Sequence, residues 1–155
     1  MRPAFLVVVM EFSKQLSIVV PGEPVAKGRP KHRVISTGGK NFTQTYTPAK
    51  TRNYENLIRA EAARVMGETV PYDCRLWMVV TAYRSIPKSM PKKHLPAAIA
   101  GDIAPITKPD SDNYLKAALD GLNTVVFRDD SLVADVTVRK RYSDQPRLVI
   151  EVFVP

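Results

Sequence analysis

The sequence predicts an α+β fold, a largely antiparallel mixed sheet with two main helices packed on one face. Two stretches place apolar residues at helical spacing, and several others show the alternation or the short apolar runs of strands. Their order is strand, hairpin, helix, strand, long connection, helix and then three strands. That groups helices with an antiparallel sheet instead of alternating them through a parallel one. With 155 residues and 45% hydrophobic content, the chain is long enough for one domain with one core. Residues 15–155 are read as that single domain, and residues 1–14 as a leader or an extra edge strand.

Taken in order, Gln15–Val20 reads as a strand that enters the basic loop PGEPVAKGRPKHR. Val34–Ile35 and Phe42–Tyr46 flank a turn containing Gly38-Gly39, a hairpin signal. Thr47 before Pro48 reads as an N-cap with proline at the first helical position. That helix runs to about Met66 and stops at Gly67, with Tyr54, Leu57, Ile58, Ala62 and Val65 on one face. Leu76–Tyr83 is an apolar strand. Pro87, Pro91, Pro96, Pro105 and Pro109 then rule out a continuous helix, and so long a connection is commonly functional. A second helix covers about Ser111–Asn123, with Leu115, Ala118, Leu119 and Leu122 toward the core. Thr124–Phe127 reads as a short strand. Leu132–Tyr142 and Arg147–Val154 alternate and are expected to pair as a terminal hairpin across Ser143–Pro146.

Composition narrows the functional classes. Lys and Arg number 23 against 15 Asp and Glu, a net charge of +8. The pI near 9.7 points to a polyanionic partner, nucleic acid first and an anionic membrane surface second. No apolar run approaches the ~20 residues of a transmembrane helix. The start, MRPAFLVVVMEF, mimics a weak signal peptide, but nothing downstream looks secreted, and it is read as having no functional role. Cys74 stands alone, which rules out an internal disulfide and makes a cysteine-rich zinc site implausible. It is expected as a small core or edge residue in a reduced, cytoplasmic setting.

Against this basic background, Lys108–Ala134 gathers Asp110, Asp112, Asp120, Asp129 and Asp130. Crowded carboxylates repel one another unless a cation compensates, and a hard divalent ion with oxygen ligands is suited to the task. Asp110 lies just before the second helix and Asp112 in its first turn. Taken alone, Asp110 is a helix cap. Asp112 and Lys116 share a face four residues apart, and an antiparallel return after the helix can carry Asp129-Asp130 back toward its start. A D-x-D plus a distant acid is one way to build a two-metal phosphodiester site. Lys116 can hold a carboxylate or stabilise charge on the phosphate. Asn113 reads more readily as ordering the helix start than as a ligand. Asp120 reads as structural, able to pair with Lys116 one turn earlier. Asp135 faces either the pocket or solvent.

Lys27, Arg29, Lys31 and Arg33 occupy alternate positions and would form a cationic comb in an extended loop, suited to phosphates. The bland reading is a solvated loop. Lys92 and Lys93, in the proline-rich connection, either clamp DNA or are simply solvated. Arg139 and Arg141 share a strand face, with Glu151 expected as a cross-strand neutraliser. Tyr54, Trp77, Phe127 and Phe153 fit core positions. Without an interleaved aromatic platform, recognition of duplex arms by backbone and shape is favoured.

The run KPDSDNYLKAALDGLN, then VVFRDDS, then a strand ending KRY and RLVIEV, resembles the RusA family of Holliday junction resolvases. GEPVAKGRP and YTPAKTRNYE extend the likeness, which spans about Ser17 to Val154. The resemblance implies a homodimeric, Mg²⁺-dependent endodeoxyribonuclease, with Mn²⁺ as a substitute ion. Such an enzyme nicks four-way DNA junctions symmetrically in recombination and repair. It implies Asp110, Asp112 and Asp130 as catalytic and metal-binding acids, Lys116 as the essential lysine, and Asp129 as a supporting ligand. The alternative is a non-catalytic basic DNA-binding or architectural protein whose aspartates are caps and turn residues. A nucleotide phosphotransferase lacks its glycine-rich phosphate loop. A serine or cysteine hydrolase would have only His32 and His94 as a base, neither near a plausible nucleophile.

Overall fold

The computed structural model describes residues 11–155, so most of the leader reading lies outside the described residues. Strand β1 (Ser13–Pro21) enters the basic loop. β2 (Lys31–Thr37) and β3 (Lys40–Tyr46) form a hairpin, and α1 (Ala49–Met66) follows. β4 (Leu76–Ser85), the short α2 (Leu95–Ala100) and α3 (Ser111–Leu122) come next, and β5 (Val133–Ser143) and β6 (Arg147–Val154) close the chain. The main sheet has the order β1-β6-β4-β5, and β2-β3 is a separate two-stranded ribbon. β4 runs antiparallel to β6 and parallel to β5, so the sheet is mixed and the fold is α+β, as expected.

The expected terminal hairpin is corrected: β5 and β6 are not neighbours, because β4 lies between them. β4 is the most apolar strand, and its Met78, Val79, Val80, Thr81 and Ala82 are all buried. Such a strand is most stable in the sheet interior, and the Asp144–Pro146 link is long enough to pass its end. Thr124–Phe127 is also not a strand. Phe127 makes only isolated bridges, to Tyr72 and to Asn123, and the segment is a tight turn after α3. Pro48, not Thr47, takes the N-cap position of α1. Cys74 is exposed.

One core cluster joins Ile18, Met78, Val80, Leu148 and Ile150 of the sheet to Tyr54 and Ile58 of α1 and to Tyr114 and Leu122 of α3. Both long helices therefore pack on the same face. Leu57 of α1 is exposed; the buried stripe is Thr51, Tyr54, Ile58, Ala62 and Met66. Phe127 is buried, but Trp77 and Phe153 stack on each other with centroids 4.5 Å apart on the sheet face away from these helices.

α1 and α3 cross closely at Gly121, where an added Cβ would come 2.6 Å from Ile58 Cγ2 and 3.1 Å from the Glu55 carbonyl oxygen. Alanine favours helices over glycine by about 1 kcal/mol. Here overpacking against a rigid core side chain outweighs that gain. Gly121→Ala is expected to lower stability by about 1–3 kcal/mol, read as a reduced urea midpoint with an unchanged slope. A midpoint at or above the parental value would show that the helices separate without cost.

Candidate active site

The start of α3 is set by side chains from the sheet. Lys140 of β5 donates from Nζ to the carbonyls of Thr107 at 2.9 Å and Pro109 at 3.1 Å. Arg84 of β4 donates to the Lys108 carbonyl at 3.2 Å. Two cations thus hold the carbonyls immediately before Asp110, at the carboxyl ends of β4 and β5. Lys140 alternates with Arg139 and Arg141 along β5 and so points to the opposite face. Its alternation was visible, but its distant partners were not.

Asp110 occupies the N-cap position with extended backbone angles, yet its side chain makes no capping hydrogen bond. The simple cap reading therefore fails, and among the described residues its exposed carboxylate has no hydrogen-bond or ion-pair partner. Asp112, two residues on in the first turn, accepts from Lys116 Nζ at 3.1 Å, with both side chains well exposed at 60% and 58%. An exposed i,i+4 pair stabilises little, so Asp112 can exchange this partner readily. The positive end of the α3 dipole favours negative charge at both acids. Asn113 contributes its main chain, whose carbonyl accepts from Lys27 N–H at 2.9 Å.

Lys27 departs from the expected comb. Its Nζ donates to Glu55 of α1 at 3.0 Å and to Asp120 of α3, tying the basic loop across both helices. Partial burial works to lower its pKa, but the carboxylates of Asp120 and Glu55 outweigh that and hold it above the usual lysine value. It is thus a clamp and not a free phosphate contact. Asp120, expected to pair with Lys116, serves Lys27 instead, because the loop crosses α3 just there. Gly28, Arg29 and Pro30 continue along one cleft with Asn113 and Lys116. Arg29, Lys31 and Arg33 remain exposed, as do Lys92 and Lys93 in a 3-10 turn before α2.

At the other end of α3, Asp129 and Asp130 lead into β5. The Asp129 carboxylate accepts from the backbone and hydroxyl of Ser131, which hold its pKa below the usual carboxylate value. Asp130 has no such partner among the described residues. The chain does not bring it to Asp110 and Asp112. α3 spans 12 residues between them, a rise of ~18 Å. The Arg128 N–H is tied to the Tyr72 carbonyl, near the start of β4. Among the described residues no three His, Cys, Asp or Glu side chains gather as a metal-holding group within one chain. Asp135 pairs with Arg75 at 2.7 Å, on the sheet face of Trp77. Glu151 does not neutralise Arg139 or Arg141 but pairs with Lys14 at 2.8 Å, because β6 adjoins β1 and β4.

Two exposed carboxylates and a lysine at a helix start, beside a cationic cleft, are groups suited to phosphodiester chemistry. Over residues 21–153 the chain matches the model of the endodeoxyribonuclease RusA family, and it belongs to that family. It is also similar to the Bacillus subtilis (strain 168) protein YqaN, described as uncharacterized. The two are 37% identical over 137 residues, 87% of this chain and 93% of that protein. No helix among the described residues is long and apolar enough to cross a membrane.

Proposed function

We propose that this protein is a divalent-metal-dependent endonuclease that resolves four-way DNA junctions by paired, symmetric nicks, acting as a homodimer. The observation that carries the reading is the pair of exposed carboxylates, Asp110 and Asp112, beside Lys116 at a helix start, in a chain of the RusA family. Their oxygen donors suit Mg²⁺, with Mn²⁺ as a substitute. Bound there, the ion would polarise the scissile phosphate and lower the pKa of the attacking water. Lys116 holds Asp112 in the free chain and, when a phosphate arrives, can turn its ammonium toward the charge developing on it. Arg84 and Lys140 keep the backbone before Asp110 fixed while this happens. Arg29, Lys31 and Arg33 take flanking phosphates, and Lys92 and Lys93 those of a more distant arm.

Asp130 enters this scheme from a second copy of the chain. One chain sets it ~18 Å along α3 from Asp110. A twofold arrangement can bring it to the partner's α3 start and complete each site. A substrate with two equivalent strands to nick calls for two such sites in any case. Asp129, bound by its own turn, stays a supporting residue.

Cleavage of a synthetic four-way junction in Mg²⁺ tests the function, with chelator and a linear duplex as controls. Paired nicks at symmetric positions are expected on the junction alone, and none in chelator. Tight junction binding with no cleavage in Mg²⁺ or Mn²⁺ would favour an architectural role.

A further inference from the structure

The β2–β3 ribbon forms a sheet of its own, and almost every side chain on it is exposed. Its register places Lys31 opposite Tyr46, Arg33 opposite Gln44, Ile35 opposite Phe42 and Thr37 opposite Lys40. Directly opposed residues share a face, so one side of the ribbon carries three cations together with Ile35, Phe42 and Tyr46. The Arg33 guanidinium lies 5.7 Å from the centroid of the Tyr46 ring, in line with that grouping. Phe42 is 57% exposed and Tyr46 42%. The protein leaves large apolar side chains in water on an element that supports none of its core.

Charge identifies what covers this face. Between Glu23 and Glu55 there is no acidic residue, while Lys and Arg recur along the whole stretch. The root of the ribbon, Gly28–Pro30, lines the same cleft as Asn113 and Lys116. A cationic, acid-free arm rising beside the active site matches a phosphate backbone. A two-stranded ribbon has the dimensions to enter a major groove. Phe42 and Ile35 lie close to the Gly38-Gly39 turn, at the outer end of the arm. An exposed aromatic ring gains from DNA where a base presents its face. The interior of a duplex stacks every base face on another; a helix end does not, nor does a branch point whose arms are held open by a bound protein.

We propose that the β2–β3 ribbon is the branch-sensing arm of this protein. Lys31, Arg33 and Lys40 grip the phosphates of one duplex arm, and Phe42, backed by Ile35, stacks on a base exposed at the strand-exchange point. This inference rests on the DNA-junction reading of the site and adds the element that distinguishes junction from duplex.

The test compares binding to a four-way junction and to a linear duplex of the same sequence, in Ca²⁺ with little cleavage. Phe42→Ala is expected to weaken junction binding roughly five- to a hundred-fold, with duplex affinity nearly unchanged. Phe42→Trp should restore the preference. Lys31→Ala with Arg33→Ala should weaken both substrates and flatten the salt dependence by up to about two units of log–log slope. A 2-aminopurine at the exchange point should change its emission with the parental protein and not with Phe42→Ala. All three side chains are exposed, so the variants should unfold at the parental temperature. Parental junction preference with Phe42→Ala indistinguishable from it would overturn the ribbon proposal alone. A parental protein that binds neither DNA would overturn the junction reading beneath it as well.

Discussion

Asp112→Asn should reduce junction cleavage by roughly 10³-fold or more, while junction affinity stays the same or rises. The two effects have one cause. Asp112 stands exposed in the first turn of α3, held only by Lys116 at 3.1 Å. Its carboxylate can exchange that exposed partner for a metal cation, and once Lys116 turns away its charge repels the DNA backbone. Asparagine keeps the shape and removes the charge, which removes an anionic ligand and that repulsion together. The measurement pairs single-turnover cleavage in Mg²⁺ with binding in Ca²⁺. Cleavage at the parental rate would remove Asp112 from the chemistry. A parallel loss of binding and cleavage would give it a structural role instead.

Mixing two inactive variants should recover cleavage, a result that a site contained in one chain forbids. Asp112→Asn and Asp130→Asn are each expected to be inactive as homodimers. Suppose the start of α3 from one copy works with Asp130 of the other. A mixed dimer then has one site carrying both substitutions and one site carrying neither. That intact site should nick one strand, so a mixture refolded to exchange subunits should yield singly nicked junctions where each variant alone yields none. If Asp110, Asp112 and Asp130 of a single chain formed the site, both sites of the mixed dimer would carry one substitution, and the mixture would stay inactive. The expectation comes from the path of the chain. α3 descends ~18 Å from Asp110 before the turn that delivers Asp130, and β5 returns toward the start of α3 only after Asp130 has been passed, so no three acids gather among the described residues.

Local pattern was a sound guide wherever local physics decides the outcome. The α1 stripe of Tyr54, Ile58 and Ala62, the stop at Gly67, the Gly38-Gly39 turn and the start of α3 at Ser111 all follow from interactions within a few residues. So does the grouping of the acids around α3 with Lys116 one turn from Asp112. Alternation in β5 and β6 established that both are strands, because a period of two is a property of the strand alone.

Partners distant in sequence were decided only by the tertiary structure. Alternation is silent about which strand lies beside which, and burial of β4 on both faces inserted it between β5 and β6. The same limit applies at the site. Lys27 looked like one tooth of a cationic comb, yet the crossing of α1 and α3 brought Glu55 and Asp120 within its reach. The partners of Lys140 are as distant: the return of the proline-rich connection set the Thr107 and Pro109 carbonyls beside it. Charge type and spacing, written in the sequence, set a cluster of acids and a lysine around α3 in an otherwise basic chain. Which acid faces solvent and which is tied down depends on contacts made across the core, whose geometry exists only once the chain has packed.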